Sequence, residues 1–136
     1  MSKLIIFFTI VIVFSCDKED EIPNFPFNIY IPLNDPEYVD LKIPGNFKYI
    51  EGGVCGIIVV NKGNDEFSSI ERCCPYKVEQ KNKVYVDTSN YNIYCPVCNS
   101  KYNYYDGGFI NGVSKKSLRN YKTIYIKDKE MLEIYN

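Results

Sequence analysis

"VCGIIVVNKGNDEFSSIERC", residues 54–73, opens with a near-continuous apolar run and crosses a Lys-Gly-Asn-Asp turn signal. It then resumes with polar and apolar residues in alternation. A short apolar run of β-branched residues bounded by turn signals reads as a strand buried on both faces. Strict alternation reads as a strand with one face in the core and one in solvent. The two halves form a β-hairpin, and an all-β domain follows.

The same punctuation extends in both directions. Upstream, "FNIYIPL" (27–33) alternates and breaks at Asn34-Asp35-Pro36, and "YVDLKI" (38–43) alternates and stops at Pro44-Gly45. Downstream, "KVYVD" (83–87) and "NIYC" (92–95) flank a polar loop, and "KTIYIKDKEMLEIYN" (122–136) closes the chain as a hairpin. With 13 Tyr, 8 Phe and no Ala, composition favours strands over long helices. Many short strands with regular turns predict an antiparallel sandwich or barrel. At 136 residues there is room for one modest core.

The first residues have a different character. "MSKLIIFFTIVIVFSC" carries one charge, Lys3, then an apolar run from Leu4 to Phe14 that suits a secretory leader better than a membrane span. Val13-Phe14-Ser15-Cys16 resembles the lipobox of bacterial lipoproteins. That resemblance implies a signal peptide over 1–15, lipidation of Cys16, and a membrane anchor. "DKEDEIPNFP" reads as a flexible tether, placed at 16–25 with the lipidated Cys, and the β domain spans 26–136. Cys16-Asp17-Lys18-Glu19-Asp20 resembles the export signal of Bacteroidetes lipoproteins, which implies the outer membrane and its outer face. A net charge of −1 gives no basis for nucleic-acid binding.

With no histidine in the chain, any metal or redox chemistry falls to sulfur. Cys55, inside the apolar run, reads as a small packed hydrophobe. The other candidates lie in two boxes, "ERCCPYK" (71–77) and "YCPVCNSKY" (94–102). Cys95-x-x-Cys98 is the usual chelating half of a tetrahedral thiolate site, and neighbouring loops bring Cys74 or Cys73 to it. Because adjacent strand residues point to opposite faces, only one of Cys73 and Cys74 is expected to reach the second box.

These boxes resemble those of the Rieske iron–sulfur domain. That family has Cys-x-His and then Cys-Pro-x-His followed by Gly-Ser-x-Phe, two Cys holding one iron of a [2Fe-2S] cluster and two His the other. Cys74-Pro75-Tyr76 lies on the first box and Cys95-Pro96-Val97-Cys98 on the second. Asn99-Ser100-Lys101-Tyr102 follows in place of the Gly-Ser run, and Gly112, Leu118 and Tyr121 match the family's closing segment. The resemblance covers about residues 25–136, extends to a Bacteroidetes lipoprotein group, and implies a Rieske-like β fold with two cysteine-bearing loops. Both ligand histidines are replaced, by Tyr76 and by Cys98. Glu79 and Val97 stand where respiratory members carry a further cysteine pair.

Three fates of the sulfurs stay open at this point. One is a disulfide, Cys95–Cys98 or a link between the boxes from Cys73 or Cys74. Another is a metal site of Cys74, Cys95 and Cys98 with Cys73 or Tyr76 as fourth donor, holding an iron–sulfur cluster or zinc. The last is a redox-active dithiol at Cys95 and Cys98. They lead to two functions: electron transfer at the cell envelope with a redox protein partner, or a cluster-free surface module. The second would bind its partner through Tyr91, Tyr94, Tyr102, Tyr104 and Tyr105. No nucleophile motif or phosphate loop is present, so no catalytic residues are assigned and an enzyme is not expected.

Overall fold

The computed structural model describes residues 21–136; the leader and Cys16 lie outside the described residues. Ten strands follow one another: β1 (Asn28–Pro32), β2 (Phe47–Ile50), β3 (Ile57–Gly63), β4 (Glu66–Glu71), β5 (Tyr85–Asp87), β6 (Asn92–Tyr94), β7 (Lys101–Asn103), β8 (Phe109–Asn111), β9 (Asn120–Ile126) and β10 (Met131–Tyr135). They form a six-stranded sheet in the order β1-β10-β9-β4-β3-β2 and a four-stranded sheet in the order β5-β6-β7-β8, and every pairing is antiparallel. The fold is therefore all-β with two sheets and two cysteine-bearing loops, as expected. Among the described residues the only helical segments are three short 3-10 turns.

The hairpin read at 54–73 is β3 and β4, and β3 is buried on both faces. Ile58 and Val60 face a cluster that includes Ile70, Val84, Ile93, Tyr102 and Leu118, contributed by both sheets. Ile57 and Val59 face the opposite way, toward Ile31, Leu41, Tyr121, Leu132 and Ile134. A strand with core on either side cannot alternate with polar residues, which accounts for the unbroken apolar run.

Two expected strands differ. Residues 38–43 are not extended: Val39–Lys42 form a 3-10 turn whose one buried side chain is Leu41. Side-chain bonds hold it, one from nearby Asn46 Nδ2 to the Asp40 carbonyl and one from Asn61 Nδ2 on β3 to the Leu41 carbonyl, and such side-chain-to-backbone bonds compete with strand pairing. Strand β3 also begins at Ile57 rather than Val54. Val54 and Cys55 belong to a turn between Gly53 (φ 60°) and Gly56 (φ 104°), backbone angles that glycine adopts without cost.

That turn closes on a buried carboxylate. Glu71, fully buried at the end of β4, accepts the N–H groups of Val54 (2.7 Å), Cys55 (2.9 Å) and Cys73 (2.9 Å) and the Tyr121 hydroxyl (2.5 Å). A Cβ on Gly53 would run into the Glu71 carboxylate and come within 2.8 Å of the Tyr121 hydroxyl. Of the stretch read as a tether, Ile22 is buried against Cys55, Cys73 and Val78. The Arg119 guanidinium donates to the carbonyls of Ile22 (2.6 Å) and Pro23 (2.8 Å). Among the described residues no helix is long and apolar enough to cross a membrane.

Candidate metal centre

Two loops meet at one end of the four-stranded sheet. The first follows β4 and runs Cys74-Pro75-Tyr76-Lys77; the second joins β6 to β7 and runs Cys95-Pro96-Val97-Cys98-Asn99. Each ends on a residue with positive φ, Lys77 at 53° and Asn99 at 58°. Asn tolerates the left-handed region, and here its N–H donates to the Cys95 carbonyl at 2.8 Å while Cys95 N–H donates to Ser100 O at 3.0 Å. The second loop is thereby closed into a tight turn with both thiols on one side.

Cys74, Cys95 and Cys98 are free thiols whose sulfurs all lie within 4.8 Å of one another. Cys74 Sγ and Cys98 Sγ are 3.6 Å apart. Sulfurs bonded to one tetrahedral zinc at ~2.3 Å stand about 3.8 Å apart, so the trio is close to the spacing of a single-ion site. Cys74 and Cys95 are fully buried, whereas Cys98 is partly exposed and gives the site its opening.

Oxygen donors surround the sulfurs. Tyr102 Oη lies 3.5 Å from Cys74 Sγ, and Ser100 Oγ lies 3.2 Å from Cys98 Sγ. Ser100 is held from behind, since its hydroxyl accepts Ser114 N–H at 3.0 Å and Gly112 packs on it so closely that a Cβ there would lie 2.6 Å from Ser100 Oγ. Burial pushes the Cys74 thiol up to about 12, against the Tyr102 hydroxyl and Tyr76 N–H, which favour the thiolate. Burial also works to raise Cys98, but the Ser100 hydroxyl and N–H together with the neighbouring sulfurs outweigh it and hold this thiol below its ordinary value. Burial, then the bond to Cys74, raise Tyr102.

The other two described sulfurs, Cys55 and Cys73, lie elsewhere, which corrects several expectations. Cys73 is joined to Cys55 in a disulfide, with Cα atoms 5.1 Å apart. Cys55 is thus not a packed free thiol, and Cys73 is neither a fourth ligand nor a link to the second box. The reason is strand parity: Cys73 and Cys74 point to opposite sides, and the turn pinned by Glu71 waits on the Cys73 side. The Cys95–Cys98 disulfide, one of the open alternatives, is not formed, since both thiols fan toward Cys74. Tyr76 offers the site its backbone N–H, while its ring packs on the core beneath the Lys77 ammonium, 5.4 Å from the ring centre. Of the five tyrosines read as a contact surface, Tyr102 and Tyr104 are buried in the core, while Tyr91, Tyr94 and Tyr105 are exposed.

The donor set can be weighed against the groups expected. A [2Fe-2S] cluster takes four protein ligands, and the described residues supply three thiols here with no imidazole anywhere in the chain. The set fits a single soft ion better: three thiolates and one oxygen, from Tyr102, Ser100 or water. Ser100 and Tyr102 are placed in the second box by sequence but not assigned to the sulfurs, and the Glu71 knot is not singled out at all. Ser and Tyr are common strand and loop residues, and nothing in their spacing reports which sulfur they will face.

No protein-family model and no curated protein matches the chain. Among solved structures, the chain is similar to a Mycobacterium tuberculosis protein described as an NADH-dependent nitrite reductase small subunit. The TM-score is 0.49 at 12% identity, over 83% of this chain and 97% of the other.

Proposed function

We propose that this is a metal-binding β domain of the Rieske-like type, built around a three-thiolate site for one zinc or iron ion and carried at the bacterial outer membrane as a lipoprotein. The observation that carries the metal reading is the convergence of Cys74, Cys95 and Cys98 within 4.8 Å as free thiols, in a chain whose other described pair, Cys55 and Cys73, is oxidised. Three thiols this close in a compartment that sustains disulfides are stable as thiols when an ion shares them. The chain's own residues do the preparatory work. The two Pro-containing turns aim the sulfurs, the N–H groups of Tyr76 and Ser100 favour thiolate, and burial excludes water from all but the Cys98 side. Held by Cys74, Cys95 and Cys98, zinc would join the two loops, whereas iron would supply a redox couple suited to passing electrons to a partner.

The lipoprotein reading rests on residues 1–16 and their lipobox-like end. A second reading, a metal-free surface module stapled by disulfides, draws support from Cys55–Cys73, which already closes one loop without a metal. The test is metal and sulfide analysis of protein purified without oxygen or chelators, together with thiol titration. One zinc or iron per chain supports the site, and iron with a reversible couple supports electron transfer. No metal and three titratable thiols, or a second disulfide, would overturn it in favour of the stapled module.

A further inference from the structure

Away from the sulfurs, the outer face of the four-stranded sheet holds a cleft of about 360 Å³. Its walls and floor include Asp87, Thr88, Asn92, Tyr94, Asn99 and Lys101. The pairing register explains why these side chains share a face. Ile93 and Tyr102 stand opposite one another and turn into the core, with Val86 half-buried at their edge and also lining the cleft, so their neighbours turn outward in two rows, Tyr85–Tyr94–Lys101 and Asp87–Asn92–Asn103.

Asn92 is the anomaly in this arrangement. It belongs to an outward row yet is only 9% exposed, and its side-chain oxygen has no hydrogen-bond partner. A buried amide oxygen left unmatched is costly, a cost removed when a small turn of the Asn92 side chain brings it to a donor on a ligand in the cleft. Beside it, Tyr94 is 37% exposed, flanked by Tyr85 at 6.4 Å between ring centres. The Lys101 ammonium and the Asp87 carboxylate both line the cleft. The Asp87 carboxylate is itself fixed by Ser89 N–H (3.0 Å) and by Asn90 Nδ2 (2.7 Å).

We infer that this cleft binds a neutral polyhydroxylated ligand, a sugar residue, stacked on Tyr94 and hydrogen-bonded through Asn92, Asp87 and Lys101. The charge balance selects the class. An anion entering the cleft meets Asp87 and a cation meets Lys101, whereas a neutral polyol uses both, one as acceptor and one as donor. The aromatic face selects further, because the C–H face of a sugar ring is apolar and matches the half-exposed tyrosine. The volume lies within the ~300–1,000 Å³ of ordinary small-molecule sites and suits one or two sugar rings. This site does not depend on the metal reading, and only Asn99 is common to the cleft and the sulfur-bearing turn.

The experiment is saturation-transfer NMR on the full chain with glucose, galactose, mannose, N-acetylglucosamine and cellobiose, with glucuronate and glucosamine as charged counter-probes. At least one neutral sugar is expected to bind in a roughly millimolar range, with saturation concentrated on its C–H protons. Tyr94→Ala should weaken it about tenfold, ~1.4 kcal/mol, and Lys101→Met should weaken it too. Tyr91→Ala, outside this cleft, should leave it unchanged. Both cleft variants sit on exposed side chains, and circular dichroism confirms that each remains folded. Absence of binding by every neutral sugar, equal or tighter binding of either charged probe, or a signal intact in Tyr94→Ala would each overturn the inference.

Discussion

Removing the Cys55–Cys73 disulfide separates two roles that adjacent cysteines 73 and 74 play. The bond closes a loop with a sequence separation of 18. Loop-closure entropy for that length, 298 K times (2.1 + 1.5R ln 18), comes to about 3 kcal/mol. Each sulfur also fills space in the small cluster of Ile22, Cys55, Cys73 and Val78, so truncation to alanine adds a cavity cost. The Cys55→Ala/Cys73→Ala double variant should therefore lose about 3–5 kcal/mol. With a urea m-value of roughly 1.5 kcal/mol/M, its midpoint should fall by about 2–3 M. The same variant should take up zinc with unchanged stoichiometry, because neither residue faces the Cys74–Cys95–Cys98 trio. The assay is paired, urea unfolding by circular dichroism and zinc uptake against a chromophoric chelator. A stability loss under about 1 kcal/mol would refute the loop argument. Loss of zinc in the double variant, with zinc retained in Cys74→Ala, would refute the assignment of the sulfurs.

Three further outcomes follow from the geometry. Serine at Cys74, Cys95 or Cys98 should weaken zinc by at least about 100-fold each, read by competition titration, because an alcohol at the same position is a far poorer donor than a thiolate. Gly53→Ala should destabilise by about 2 kcal/mol or more in thermal unfolding, since the new Cβ meets the Glu71 carboxylate at a positive φ; a neutral result would mean the turn yields freely. Stability should also fall on the alkaline side. Burial, then the charge of Tyr105, holds Tyr104 at about 12, while burial, then the bond to Glu71, raises Tyr121. An unfolded tyrosine ionises near ~10, so above that pH the unfolded chain releases protons that the folded chain keeps, and linkage lowers stability with rising pH. The contribution is complete below pH ~10 and lost through about 12; a flat urea midpoint across that window would contradict it.

What the chain's local chemistry determines is the kind of fold. The apolar run at 57–60 is a property of neighbouring residues, and it specifies a strand with two buried faces wherever that strand is placed. The alternation expected along 66–71 is not realised, because Ser69, Ile70 and Glu71 are all buried. Local signals failed at 38–43, where side-chain bonds from Asn46 and Asn61, the latter on a distant strand, converted an alternating segment into a turn around Leu41. Parity also shows in sequence that Cys73 and Cys74 part company. It does not say which partner waits on either side. That depends on the turn at Val54–Cys55 being drawn to the Glu71 carboxylate, and on the β6–β7 loop arriving beside Cys74 from 24 residues away. Cysteines carry no directional label in sequence. Their pairing is settled by which loops the two sheets bring together, so only the tertiary structure separates the disulfide from the metal cradle.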